Sequence, residues 1–390
     1  MIYLDEAASA PPQRSVLEAM WPYLGAHFAN PASRHEHGLA AESALQDARR
    51  RVADQLGARP AEIIFTSGGT ESNNAAVKGV SFAAPRGRHI LVSAIEHPAV
   101  LESAAWLERF GFTVEHLPVD RDGLVSAEAL KQMIRPDTTL VSVQTASSDV
   151  GTVQEIPALS AAAAEHKVPF HTDAVQAAGA MDLKVDDLGV QALSLAGHKL
   201  GTPKGIGVLY LRRRTAFEPL IHGGGQQRDR RSGTENVAGA VGMAAALELA
   251  AQADVHALQH RRDLFIHAVE SRVEHAQLTG HRTQRLPGHA SFSIGARSGE
   301  SVLLDLERAG ISCSSGSACA AESSDPNPAL IAMGYSPEEA QSALRFSFGA
   351  QTSEEDLNRA AQALVRAAAS DSHQPLVRSQ KAPTTGAVTP

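Results

Sequence analysis

Ser194-Leu195-Ala196-Gly197-His198-Lys199, continued by Leu200-Gly201-Thr202-Pro203-Lys204-Gly205-Ile206-Gly207, is the stretch on which the reading of this chain turns. A short apolar strand ends in a histidine and a lysine, and a Gly/Pro-rich turn leads into the next apolar run, Gly207–Leu211. Open α/β sheets hold their ligands at such strand ends. A lysine there can capture an aldehyde cofactor as a Schiff base, and pyridoxal phosphate is the usual one. Taken alone, Lys199 reads as a solvated surface lysine beside a loop, so its weight depends on what surrounds it in the sequence.

Working outward, short β-branched runs alternate with helical patterns. The runs are Glu62–Thr66, His89–Ser93, Thr113–Leu117, Thr139–Val143, Val168–Thr172, Ala192–Leu195 and Gly207–Leu211. Helical periodicity appears at Ala40–Leu56 and Ala127–Met133. This alternation predicts an α/β fold with a mostly parallel sheet flanked by helices. Beyond Gly223-Gly224-Gly225, one long helical region is expected from about Glu235 to Val273. A smaller α+β unit follows, with strands near Ala290–Ile294 and Gly310–Cys313 and helices near Ser301–Ala309 and Glu354–Ala368. The expected division is a large domain over 12–255, a small domain from 1–11 and 256–368, and a solvated tail over 369–390 rich in Ser, Pro, Thr and Gln.

Composition narrows the function classes. The chain has 390 residues, with 35 basic and 43 acidic side chains, and its net charge of −8 disfavours direct nucleic-acid binding as the main task. Two cysteines, Cys313 and Cys319, exclude a disulfide framework and lack the C-x-x-C spacing of a zinc site. The first residues lack the basic-then-apolar pattern of a signal peptide, and no apolar run is long enough for a membrane helix. A cytoplasmic protein in a reducing compartment is the expectation.

Three further segments supply what a pyridoxal phosphate needs. His171-Thr172-Asp173-Ala174-Val175-Gln176 offers an acid for the pyridine nitrogen and, one turn on, an amide for the ring hydroxyl. By itself Asp173 reads as a helix N-cap. Ser67-Gly68-Gly69-Thr70-Glu71-Ser72 follows a strand and opens a helix, which suits a phosphate. Glu96-His97-Pro98 places an imidazole after another strand, where it can stack on a planar ring. Cys319, in the loop Ser314-Ser315-Gly316-Ser317-Ala318-Cys319, reads as an accessible thiol that needs a neighbour's help to ionise. Cys313, at the end of an apolar strand, reads as a packing residue.

In this order, Gly69-Thr70-Glu71-Ser72-Asn73-Asn74, Glu96-His97, Asp173-Ala174-Val175-Gln176, Gly197-His198-Lys199, Arg231-Ser232-Gly233-Thr234 and Gly316-Ser317-Ala318-Cys319 resemble the class V aminotransferase group of fold type I pyridoxal-phosphate enzymes. Within it, the chain resembles cysteine desulfurases of the NifS/IscS kind, from Tyr3-Leu4-Asp5 through Leu344-Arg345-Phe346-Ser347-Phe348-Gly349. The resemblance implies a seven-stranded sheet in the large domain and a homodimer. It implies conversion of L-cysteine to L-alanine, with the sulfur held as a persulfide on Cys319 and passed to an acceptor protein for iron–sulfur assembly or tRNA thiolation. Lys199 is implied as the cofactor lysine, Asp173 and Gln176 as ring partners, and His97 as the stacking residue and proton-transfer aid. Gly69, Thr70 and His198 are implied on the phosphate, joined by Thr234 of a second subunit. Arg345, helped by Asn30, is implied on the substrate carboxylate. The other readings are a class V relative with a different substrate, such as a selenocysteine lyase or an aminotransferase, and a degenerate scaffold for a sulfur-acceptor protein.

Two positions depart from that pattern. Ser147-Ser148-Asp149 stands where Asn-Asn-Glu is usual, so Ser148 replaces an asparagine near the ring oxygen, and Ala196 stands where a phosphate-binding serine is usual. A lost hydroxyl contact costs about 0.5–1.5 kcal/mol, or up to about 3 when charge-assisted, which spans roughly twofold to a hundredfold in affinity. Titration of the apo-protein is therefore expected to require excess pyridoxal phosphate for full loading. Complete occupancy at one equivalent contradicts this.

Overall fold

The computed structural model describes residues 1–83, 86–295, 297–315 and 326–369. The tail, expected from residue 369, and the segment containing Cys319 therefore lie outside the described residues, apart from Ala369 itself.

All seven expected runs form one sheet, their ends shifted by at most two residues. Its spatial order is Ile63–Thr66, Gly207–Leu211, Ala192–Ala196, Phe170–Asp173, Thr138–Ser142, His89–Ser93 and Thr113–Leu117. Only Gly207–Leu211 runs against its neighbours; the remaining pairings are parallel. Six of the seven strands are buried at every residue, the edge strand Thr113–Leu117 being the exception, and the six carry the near-continuous Ile, Leu and Val that a sheet covered on both faces needs. Helices Glu36–Leu56 and Gly69–Ala83 lie on its faces, each projecting a buried apolar set (Leu45, Val52, Leu56; Ala76, Val77, Val80).

The long helical region expected from Glu235 to Val273 is instead two helices, Val237–Ala250 and Val255–Glu270. The break is local chemistry: Asp254 caps the second helix, its Oδ1 accepting the Ala257 N–H at 2.9 Å. The first of the pair is Ala/Gly-rich and buried, packed on Arg14–Leu24 and Glu36–Leu56. The second belongs to another core, in which Phe265, Phe292, Phe346 and Phe348 meet with ring centroids 5.2–6.3 Å apart. That core lies under an antiparallel sheet ordered Ser314–Ser315, Ala343–Ser347, His289–Ser293 and Gln277–Leu278. Ile2 and Leu4 share it, because Ile2–Tyr3 pairs in parallel with Ile311–Ser312.

Gly207 is where the turn after Lys199 re-enters the sheet. A Cβ there would stand 2.6 Å from the Gly68 carbonyl carbon and 2.7 Å from Thr66 Oγ1, so backbone would have to move. Gly207→Ala is expected to lower thermal stability by about 1–3 kcal/mol, read as a fall in Tm. An unchanged Tm contradicts this close approach.

Candidate active site

The strand ends converge on one cavity of about 520 Å³. Lys199, Asp173, Gln176, His97, Ser148, His198, Gly69, Thr70 and Arg345 all line it. They arrive on several elements. Asp173 is the last residue of Phe170–Asp173, Lys199 closes a short 3₁₀ turn after Ala192–Ala196, and Gly69 and Thr70 begin the helix Gly69–Ala83. That site lies where open sheets of this type place ligands. A second cavity of similar volume shares Lys199 and Gln176 across Ala7 but lacks Asp173 and the helix start, so the chemistry belongs to the first.

Asp173 is nearly sealed from solvent. Its Oδ1 accepts the Val175 N–H at 2.9 Å, and its Oδ2 accepts Asn73 Nδ2 at 2.6 Å. Burial pushes its carboxyl up, against the opposing pull of the Val175 N–H, His97, Asn73 and Lys199. Lys199 Nζ donates to the carbonyls of Ala7 and, at 2.9 Å, Ala8, and Gln176 Nε2 also donates to Ala7 at 2.9 Å. His97 caps the helix Pro98–Glu108, its Nδ1 accepting the Ala99 N–H at 3.0 Å, so the neutral ring carries its proton on Nε2. His198 is pushed down to about 4 by burial and by Lys199 and Lys204, so at neutral pH it offers a hydrogen bond and no charge. The first-turn N–H groups of Gly69–Ala83 lack intrahelical acceptors and suit an anion. A buried acid, an amine and an anion cradle around one space fit an aromatic aldehyde phosphate. The Ala196 methyl, where a hydroxyl is usual, also lines the cavity.

Arg345 is buried on Ala343–Ser347, with Nη2 2.8 Å from Asp5 Oδ1 and Nη1 donating to the Ser148 carbonyl at 3.2 Å. One residue expected from this chain, Asn30, is not among those lining the cavity. Asn30 is exposed, and its Oδ1 accepts the Ala32 N–H at 2.9 Å. Thr234, expected to serve the site of a second subunit, lines a smaller neighbouring cavity in its own chain with Ser67, Gly205 and Arg231. Four lining or adjoining residues had no assigned role in the sequence reading: Asn73, Lys204, Gln144 and Glu96. Asn73 was detectable, standing one helical turn after Gly69. Glu96 carried no such signal. It is buried behind the cavity, with Oε1 accepting the Gln144 N–H at 2.5 Å and Oε2 without a hydrogen-bond partner among the described residues.

Over residues 2–360 the chain matches the family model described as aminotransferase class-V, and it belongs to that family, whose members depend on pyridoxal phosphate. It is 46% identical to cysteine desulfurase IscS of Dictyoglomus turgidum, over 92% of each chain. It is 42% identical to an IscS-like cysteine desulfurase of Mycobacterium tuberculosis, over 95% of this chain and 96% of that one. A solved NifS-like protein superposes with a TM-score of 0.88 at 33% identity, covering 94% of this chain and 98% of the other. SspA in complex with cysteine gives 0.79 at 36%, covering 89% and 99%.

Burial, and then the field of Asp173, hold the Glu96 carboxyl well above its ordinary range, against the Gln144 N–H. The folded state therefore binds a proton that the unfolded state releases above about pH 4.5, and this contribution to stability falls as pH rises through that window. Glu96→Gln cannot release it. Melting temperatures of apo-protein from pH 5 to 8 are expected to show the wild type losing stability relative to Glu96→Gln as pH rises. Parallel curves contradict a protonated Glu96.

Proposed function

We propose that this chain is a pyridoxal-phosphate-dependent cysteine desulfurase, converting L-cysteine to L-alanine. The single observation that carries the reading is that Lys199 and Asp173, from different strands, line one cavity with the start of Gly69–Ala83. The relatives named above, one of them solved with cysteine, support the same reading.

Pyridoxal phosphate supplies an electron sink that weakens the substrate Cα–H bond. Lys199 would hold the cofactor through its amine and would carry a proton at the substrate Cα. Asp173 would keep a negative charge for the pyridine nitrogen, and Gln176 would serve the ring oxygen. His97 would stack on the ring and offer Nε2–H for proton transfer. Gly69, Thr70 and His198 would hold the phosphate, with Thr234 of a second copy. Arg345, with Asn30 as its helper, would take the substrate carboxylate through a two-point fork that a lysine cannot reproduce. The Cys319 thiol takes the sulfur: the substrate Cβ–S bond breaks, a Cys319 S–S bond forms, and the carbon skeleton leaves as L-alanine. Persulfide sulfur then passes to an acceptor protein. The proposal includes a homodimer, the division into 12–255 and 1–11 with 256–368, and a cytoplasmic location. Among the described residues no helix is long and apolar enough to cross a membrane.

Incubation with L-cysteine is expected to release alanine and to add one sulfur to the Cys319 peptide by mass spectrometry. Cys319→Ala is expected to abolish turnover, and Lys199→Ala to lower it by roughly 10²-fold or more. Full desulfurase turnover by Cys319→Ala overturns the assignment in favour of a class V relative with another substrate.

A further inference from the structure

The carboxylate clamp is already engaged from within the chain. Asp5 Oδ1 sits 2.8 Å from Arg345 Nη2, while Nη1 is held by the Ser148 carbonyl at 3.2 Å. The same carbonyl accepts His289 Nε2 at 3.0 Å, which fixes its place. Arg345 Nε is buried and has no hydrogen-bond partner among the described residues. A guanidinium has two edges able to grip a carboxylate at two points, Nη1/Nη2 and Nε/Nη2, and both use Nη2. An incoming α-carboxylate therefore meets a like charge already seated on Nη2, the nitrogen that both grips share.

The arrangement suits displacement. The guanidinium is 7% exposed and needs a counter-charge when no substrate is present, whereas the Asp5 side chain is 23% exposed and can turn toward water. The Asp5 backbone is pinned by its bridge to Ser347, and Leu4 donates to the Ser312 carbonyl at 2.7 Å, so only the side chain has to move. We propose that Asp5 is a resident competitor for Arg345, which the α-carboxylate of substrate or product must displace and which thereby sets the affinity for both. This rests on the reading of Arg345 as the carboxylate clamp.

The test uses the cofactor-loaded protein and two probes, L-alanine and ethylamine, which differ only in the carboxylate. Calorimetric titration of the wild type is expected to show tighter binding of L-alanine than of ethylamine. Asp5→Asn, which removes the charge with little change of shape, is expected to tighten L-alanine binding by roughly fivefold or more. Its ethylamine affinity is expected to stay within twofold, and the KM for L-cysteine to fall. Asp5→Ser serves as a second variant should the first fail to fold. Unchanged or weaker L-alanine binding in both variants, with the wild-type preference intact, overturns the competitor role of Asp5 alone. A wild type without preference for L-alanine over ethylamine overturns the clamp reading itself.

Discussion

The site depends on a juxtaposition that costs free energy to maintain: a carboxyl sealed in the protein, facing the same space as an amine. An isolated buried carboxylate is expensive, and the fold compensates Asp173 with donors from Val175 and Asn73 and with the fields of His97 and Lys199. These residues come from four elements, and they meet only because the parallel strands end on one side of the sheet. Displacing any of these strands by a residue would turn its side chains to the other face and empty the cavity of its chemistry.

Around Asp173 the protein divides its acids by role. Glu96 lies behind the cavity with one oxygen unpartnered among the described residues, and burial and Asp173 push it toward the neutral form. Burial raises Asp173 too, but two donors and the fields of His97 and Lys199 oppose that push, where Glu96 has the Gln144 N–H alone. At the other end of the cavity His198 is likewise kept neutral at physiological pH by burial and two lysines. In the proposed reading the charge facing an anion there comes from the helix start and from Lys204, which also lines the space, while His198 adds a hydrogen bond.

The sheet was legible in the sequence because strands buried on both faces leave unbroken apolar runs, as in Ile90-Leu91-Val92 and Val208-Leu209-Tyr210-Leu211. The meeting of Lys199, Asp173 and Gly69-Thr70 at one cavity was legible because each stands at or just past the end of such a run. The break at Ala251–Asp254 was not, since alanine-rich sequence continues helical periodicity up to a single capping aspartate. Asp5 and Glu96 stayed silent for a different reason. Their importance comes from what packs against them, Arg345 in one case and Asp173 in the other, and no local pattern encodes those contacts. Asn30, implied by the resemblance alone, lies outside the lining of the cavity, and Thr234 was expected there only from a second subunit.

The segment Ile2–Ala8 joins the two ends of the sequence at the site. Ile2 pairs with Ile311, the Ala7 N–H donates to Ser347 Oγ, and Asp5 reaches Arg345, a separation of 340 residues for the last two. During synthesis on the ribosome, the earliest residues to emerge must therefore wait for some of the latest before they can settle. The large sheet has all its strands once Leu211 has been made, whereas the wall formed by Ala7 and Ala8 closes only after Ser347. Loop-closure entropy on that scale makes completion of the pocket a late event in folding, so a truncated chain keeps its lysine but not the space in which it works.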